Sequence, residues 1–433
     1  MIPCTLLFLG LLASTVSAAE TCNSTQSCPE DAPCCNQYGE CGSGPLYCLG
    51  GCHPAFSYDI YACAAMPVCQ NIETTFDDAS SIMSVDDYFG DANATDWVYT
   101  GYLEDYDGAN LLAMPNQTSG TVVSSTRFIW YGKVGATFKT SRGDGVVSAF
   151  ILFSNAQDEI DWEFVGYNLT SAESNFYFQG ELNYTNVVDI DATDTFEYYH
   201  TYEVDWKEDQ LDWYLDGELV RTLKKEDTWN ETEQVYKYPQ TPSRVQFSLW
   251  PAGDSDATGT IEWAGGVVDW NSEDIVDYGY YYVTLLNASI ECYDPPAGTL
   301  ITGSSAYTFN NTDKFTQEYV MITNNSTEIC DDDSSGLDSQ ECAVSSSSSS
   351  SAHSSSSHSS SSSSRSASSG STTSTGEQQE STTTVAATET TDSTTAATGF
   401  VQFAGGSSSS SNNAVSLTGS VGTLLLALSW WIV

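Results

Sequence analysis

The chain has 433 residues and carries 58 Asp+Glu against 12 Lys+Arg, a formal net charge of −46. So acidic a surface repels nucleic acid and anionic membrane, which excludes both as direct partners and favours neutral or cationic ligands. The length exceeds one ordinary domain, and composition divides it into segments.

Residues 1–19 are apolar at Leu6, Leu7, Phe8, Leu9, Leu11 and Leu12 and end in the small residues Ser17, Ala18 and Ala19. This is the pattern of a secretory signal peptide, too short for a membrane span of about 20 apolar residues. Cys4 leaves with the signal, so twelve of the thirteen cysteines remain in an oxidising compartment where disulfides form. Ten N-x-Ser/Thr sequons also point to a secreted glycoprotein: Asn23, Asn93, Asn116, Asn168, Asn183, Asn230, Asn287, Asn310, Asn324 and Asn325.

Residues 20–70 hold nine cysteines. Among them Cys28, Cys34, Cys35, Cys41, Cys48 and Cys52 have the spacing C-x5-CC-x5-C-x6-C-x3-C. A segment this short and polar needs disulfides in place of a large core. Nine is an odd number, so at least one cysteine pairs outside the head, with Cys292, Cys330 or Cys342 as the candidates. Cys63 or Cys69 bonded to Cys292 would tie together the ends of the next segment, but spacing does not fix the connectivity.

Residues 71–300 read as all-β. The run "GVVSAFILF" (145–153) has strand length, and "HTYEVDWKEDQLDWYLDGELVRTL" (200–223) gives two or three strands with a turn at Asp216-Gly217. "SRVQFSLW" (243–250) and "GTIEWAGG" (259–266) add further strands. No sustained helical periodicity competes, and many short strands in one segment predict a two-sheet jelly-roll β-sandwich with a face able to hold a polymer. Trp130, Trp206 and Trp213 fall in strand runs and are expected in the core. Trp250 and Trp263 flank the loop "PAGDSDATGT" and are candidate stacking platforms on that face, with core as the alternative. Arg244 and Thr260 are candidate polar contacts.

The stretch "QDEIDWEF" (157–164) carries four acids. In a strand, Glu159, Asp161 and Glu163 share one face, while Ile160, Trp162 and Phe164 share the other. A solvated strand face explains the alternation but not three uninterrupted like charges, which disfavour mutual ionisation. Retaining glycosidases use two carboxyl groups about 5–5.5 Å apart, one nucleophile and one acid/base. Glu159 and Glu163 lie roughly 13 Å apart along an ideal strand at about 3.3 Å per residue, so their side chains must lean together. The histidines form no metal-ligand spacing and no G-x-S-x-G occurs, so neither a metal, another cofactor nor a serine nucleophile is expected.

Residues 301–342 form an extension with Cys330 and Cys342. Residues 343–411 are mostly Ser and Thr and cannot bury a core, which predicts an extended, disordered stalk. Residues 412–433 end in "VGTLLLALSWWIV" after small polar residues, the pattern of a GPI-attachment signal with Asn412 as the favoured attachment residue.

Two resemblances sharpen these readings. The head resembles hevein-type chitin-binding modules, which implies a saccharide platform built on Asn36, Tyr38 and Tyr47, with Glu40 standing where a third aromatic is usual. "DEIDWEFVG" (158–166), with its flanks "YGKVGATFKTSRGDGVVSAFILF", "HTYEVDWKEDQLDWYLDGELVRTL" and "GTIEWAGG", resembles glycoside hydrolase family 16. With the head, stalk and anchor signal, the chain is similar to the fungal GPI-anchored Congo-red-hypersensitivity transglycosylases that join chitin to β-glucan in the cell wall. That resemblance implies Glu159 as nucleophile, Glu163 as acid/base and as a substrate contact, and Asp161 as the group that orients Glu159. It implies chitin and β-glucan as partners. A hydrolase acting on either polymer and a non-catalytic wall adhesin are the alternatives.

Overall fold

Alternation along the sequence becomes two stacked, eight-stranded sheets in the computed structural model, which describes residues 20–339. The signal peptide, Cys342, the stalk and the attachment signal with Asn412 lie outside the described residues. One sheet runs, edge to edge, Val188–Asp191, Ser171–Tyr177, Glu159–Val165, Val147–Ser154, Ser243–Trp250, Thr121–Ser125, Trp97–Thr100 and Met83–Ser84. The other runs Glu218–Lys224, Gln210–Leu215, His200–Trp206, Gly132–Lys139, Tyr280–Cys292, Ala109–Pro115 and Tyr102–Tyr106, with Ile72–Thr75 also paired to Tyr280–Cys292. The jelly-roll sandwich expected from the strand spacing is therefore present.

The inward faces meet in an aromatic core. Trp130, Trp162, Trp206 and Trp213 are fully buried there, as expected for three of them. Phe138 meets Phe164 edge to face at 5.5 Å and Tyr202 at 4.7 Å, so rings from both sheets interlock. Residues 200–223 yield three strands, and the hairpin turn at Asp216-Gly217 has φ values of 51° and 81°. Both are positive, as a tight hairpin turn matched to strand twist requires.

One expected strand is a helix. "GTIEWAGG" contributes to a short helix, Thr258–Trp263, that ends at Gly265 and Gly266, with φ values of 88° and 134°. Gly266 N donates to Ile261 O and Gly265 N to Glu262 O, the paired bonds of a glycine helix stop. The alternation in so short a run is equally compatible with one helical turn, and the glycine pair was the signal that decides it.

The head is stapled by Cys22–Cys35, Cys28–Cys41, Cys34–Cys48 and Cys52–Cys63. Cys69 pairs with Cys292, one of the two pairings weighed from the sequence, and Cys330 is also disulfide-bonded. The head does not stand apart from the rest. Its strand Met66–Pro67 pairs with Ala306–Phe309 of the C-terminal extension, Gly44 N donates to Ser334 O, and Gly336 N donates to Ala62 O. Gly51 N donates to Asn155 Oδ1 at 2.9 Å, beside the turn that leads into the acid-bearing strand. None of the ten sequon asparagines is buried.

Candidate active site

The acid-bearing strand Glu159–Val165 begins at a tight turn. Gln157 has φ 62°, Ser154 N donates to Asp158 O, and Gln157 N donates to Ser154 O. Asp158, the fourth acid of the motif, fixes this turn. Its Oδ2 accepts from Gln240 N (2.9 Å), Thr241 N (3.0 Å) and Thr241 Oγ1 (2.6 Å), and its Oδ1 accepts from Gln179 N (3.1 Å). Burial nevertheless outweighs those bonds and pushes its pKa up to about 6.

Beyond the turn the strand is regular. Its ladders to Val147–Ser154 and Ser171–Tyr177 run through Glu159, Asp161 and Glu163 without a register shift. Any approach of Glu159 to Glu163 therefore comes from the side chains, not from a bulge. Ile160, Trp162 and Phe164 enter the core, and Trp162 pairs across to Phe150. The acids face away from that core, yet Glu159 is only 5% exposed and Asp161 1%. A solvated strand face is thereby excluded.

The electrostatics follow from this burial. Desolvation raises the Asp161 pKa well above the usual carboxylate range, and the charge and hydrogen bonding of Glu159 raise it further. No N–H or O–H donor reaches either Asp161 oxygen. Two ionised carboxylates cannot bond each other, so a proton held by Asp161 and directed to Glu159 is what satisfies the pair. Desolvation also raises Glu163 well above its usual value, with the charges of Asp161 and Glu173 adding to it. The basic group that opposes these effects at Asp161 is Arg221, whose guanidinium donates to Ser174 O and Asn186 O and stacks 4.5 Å from the Trp213 ring.

Cross-strand register identifies the neighbours on this face. On one side Glu159, Asp161 and Glu163 lie opposite Tyr177, Asn175 and Glu173. On the other, beyond Phe153, Ile151 and Ala149, come Arg244, Gln246 and Ser248, then Trp250 beyond Val147. The sequence reading missed Glu173, Asn175, Tyr177, Gln246 and Ser248. Their signal was the alternation in "AESNFY" and "RVQFSLW", where Ala172 and Phe176, and Val245, Phe247 and Leu249, enter the core between them. Unpartnered polar atoms concentrate here. Asn175 Oδ1, Arg244 Nε and Trp250 Nε1 are buried on this face without a hydrogen-bond partner, and neither Asp161 oxygen receives an N–H or O–H donor. Buried polar atoms are normally bonded, so such a concentration marks where a polar ligand completes the site.

The other candidates divide. Trp250 is buried on the acid face and its ring lies 6.3 Å from that of half-buried Trp263. Trp263 Nε1 donates to Glu173 Oε2 at 2.9 Å, which ties the short helix to the site. Thr260 is buried within that helix. Arg244 is buried two strands from Glu159, beside the head. In the head, Asn36 is not offered to a sugar. It is buried, its Oδ1 accepts from Tyr38 N and Glu40 N, and its Nδ2 donates to Glu40 Oε2, because the tight cysteine loop needs these bonds. Tyr47 is half-buried over Gly42, where a Cβ would meet its ring at 2.6 Å. The Tyr38 ring is half-buried, and its enclosed hydroxyl is pushed up to about 12 mainly by desolvation.

Residues 91–265 match the profile of glycosyl hydrolases family 16. The chain is 52% identical over 349 residues to Crh-like protein UTR2 of Candida albicans, covering 77% of this chain and 74% of that protein. It is 48% identical over 333 residues to Congo red hypersensitive protein 2 of Saccharomyces cerevisiae, covering 76% and 71% respectively. Among solved structures, an apo Crh5 transglycosylase aligns with 25% identity and a TM-score of 0.49 over 60% of this chain and 95% of that one. The chain belongs to glycosyl hydrolase family 16, in its Crh-like, Congo red hypersensitive branch.

Proposed function

We propose that this family 16 enzyme is a retaining transglycosidase that cleaves a chitin-type donor and transfers it to a β-glucan acceptor. The observation that carries this reading is the buried acid face, where Asp161 and Glu163 are both held toward the protonated form beside Glu159. Glu159, receiving the Asp161 proton as a hydrogen bond, attacks the anomeric carbon. The glycosidic C–O bond breaks as Glu163 gives its proton to the leaving oxygen, which leaves a glycosyl ester on Glu159. Glu163, now ionised, takes the proton of an acceptor hydroxyl as that oxygen displaces Glu159. Two displacements at one carbon preserve its configuration, and the proton returns to Glu163. Half-buried Trp263 offers its ring to the sugars, Trp250 backs it from within the apolar cluster of Val147 and Val165 and is no stacking platform itself, and Arg244 and Thr260 mark the flanks. Secretion and a GPI anchor at Asn412 would hold this chemistry at the cell wall.

The test is incubation of the protein with a chitin oligosaccharide and a fluorescent β-glucan oligomer, following high-mass fluorescent product and new reducing ends together. The expected result is fluorescent product with few reducing ends. Reducing ends alone would make it a hydrolase, and neither signal from folded protein would refute an enzymatic role. Glu159→Gln and Glu163→Gln should each abolish transfer; full activity in either refutes its assigned role.

A further inference from the structure

Behind the acid row, one basic side chain crosses from the opposite sheet. The ladder between Gln210–Leu215 and Glu218–Lys224 shifts register between Trp213 and Tyr214, which leaves Val220 unpaired and sets Arg221 opposite Trp213. Such a bulge re-aims the side chains beside it. Trp213 is fully buried, and Arg221 follows it into the sandwich with its guanidinium 4.5 Å from the indole ring. Its Nη1 donates to Ser174 O at 2.6 Å and to Ser174 Oγ at 3.0 Å, and its Nη2 donates to Asn186 O at 2.6 Å. Ser174 is the cross-strand partner of Trp162, and Trp213 Nε1 donates to Asp161 O at 3.1 Å. Arg221 therefore grips the strand beside the acids and, through Trp213, the strand that bears them.

That grip uses neutral oxygens, not carboxylates. Arg221 forms no ion pair among the described residues. Burial lowers its pKa to about 10, so it stays a cation at neutral pH, and Asp161 is the acid whose charge favours it. An enclosed cation without a carboxylate partner is costly. The acid row gives it a use. Three buried carboxyls are least costly when all hold protons, which would leave no nucleophile. One negative charge must survive on Glu159 and Asp161 while Glu163 keeps its proton. No other group around the row supplies the cation. Across one ladder, Glu173 adds negative charge beside Asp189, Asn175 is neutral and burial keeps Tyr177 neutral. Across the other, Ala149, Ile151 and Phe153 carry no charge. Asp158 is turned away toward Gln240 and Thr241. Arg244, beyond Phe153, donates to Gln37 Oε1 of the head at 3.2 Å, and Lys237, which shares a cavity with Arg221, is paired with Glu181 and Glu233.

Resting on the roles proposed above for the three acids, we propose that Arg221 is a positioning residue of the reaction. From the core side of the sheet it holds one negative charge on the Glu159–Asp161 pair and fixes the neighbouring strand against it. Glu159 is then ready to attack while Glu163 still carries its proton. Arg221 acts through Asp161 and Trp213, so the charge state of the acid face is set from the opposite sheet.

The test is the pH profile of kcat/KM for the chitin oligosaccharide, measured on the full chain with the fluorescent β-glucan acceptor. The acidic limb reports ionisation of the Glu159–Asp161 pair, and the alkaline limb reports loss of the Glu163 proton. Without the cation the pair ionises less readily. Arg221→Met should therefore move the acidic limb to higher pH by about one unit. The alkaline limb should move less, since Arg221 is not among the charges that act on Glu163. Arg221→Lys keeps the charge but not the two-pronged grip, and should restore the limb while the plateau falls. Arg221→Gln retains a donor for Ser174 O without the charge, so it remains informative if the methionine variant fails to fold, and it should shift the limb likewise. A lowered plateau with both limbs in place would make the arginine purely structural and overturn the proposal, as would a lysine variant that shifts as far as the glutamine one. Limbs unmoved in every variant, with Glu159→Gln inert, would overturn it and leave the roles of the acids standing. Full transfer by Glu159→Gln would refute those roles and this proposal with them.

Discussion

Within the head, four disulfides close intervals of 11 to 14 residues around a small cluster of Cys22, Cys28, Cys35 and Cys41 with Ala32 and Phe56. The sandwich instead buries Trp130, Trp162, Trp206 and Trp213 in one core that spans both sheets, and its one disulfide joins its margins. The first region is held largely by restricting its unfolded chain, the second by removing apolar surface from water. The two meet on the acid face, where neither mode of stabilisation satisfies the polar atoms. A site can remain incomplete there because both walls are secured elsewhere.

Trp162→Ala tests the sandwich side most severely. It opens a large cavity behind the acid strand and should cost about 3–5 kcal/mol, read as a lowered denaturant midpoint. Transfer activity should fall with it, since Trp162 alternates with Asp161 and Glu163. A variant as stable as the parent would show that the core does not hold this strand.

Stability should also depend on pH, chiefly through the sandwich. Asp158 ordinarily titrates near 3.8 and is held at about 6 in the folded chain. The folded state therefore binds its proton more tightly than the unfolded state does. The stabilisation is full below the unfolded value and is lost as pH rises through the folded one, roughly 3 kcal/mol for a shift of about two units. Asp161 and Glu163, also raised, act in the same direction. The thermal midpoint should fall from pH 4 to pH 7, and Asp158→Asn should flatten that slope. A midpoint that rises over this interval would contradict the assignment.

Replacing Cys28 and Cys41 together by Ser tests the head. Opening that loop should cost the head about 2–4 kcal/mol while the sandwich keeps its own transition, visible as two separated steps in thermal unfolding. A single coincident step would mean that the two regions fold as one unit and that the contrast between them is too sharp. The smallest effect is expected from Glu173→Gln. Removing this charge lowers the Glu163 pKa, so the alkaline limb of the activity profile should move to lower pH by a fraction of a unit. A shift to higher pH would show that Glu173 acts on Glu163 by some route other than repulsion.

Much of the sandwich was legible in the sequence because its signals are local. Period-two alternation in "EIDWEF" and the Asp216-Gly217 turn each involve neighbours in the chain. The Thr258–Trp263 helix was misread because a run of six residues is too short for its period to show, although Gly265-Gly266 marked its end. Asp158 counts as one more acid in the motif, and only the fold shows it holding a turn through Gln240 and Thr241. The seat of the head was beyond reach. Gln37 and Arg244 lie 207 residues apart, and nothing in either segment announces the other.

The Cys69–Cys292 bond, with a sequence separation of 223, gives the molecule a short load path. If the chain is pulled between its head and its C-terminal extension, tension passes from Cys69 through the two sulfurs to Cys292. The strands between them are bypassed and remain slack. An enzyme drawn taut from both ends would then keep its catalytic sheets unloaded, and reduction of this one bond would put them under force. Stretching single molecules with and without a reductant would display the difference directly, as a contour length that grows by the residues between those two cysteines.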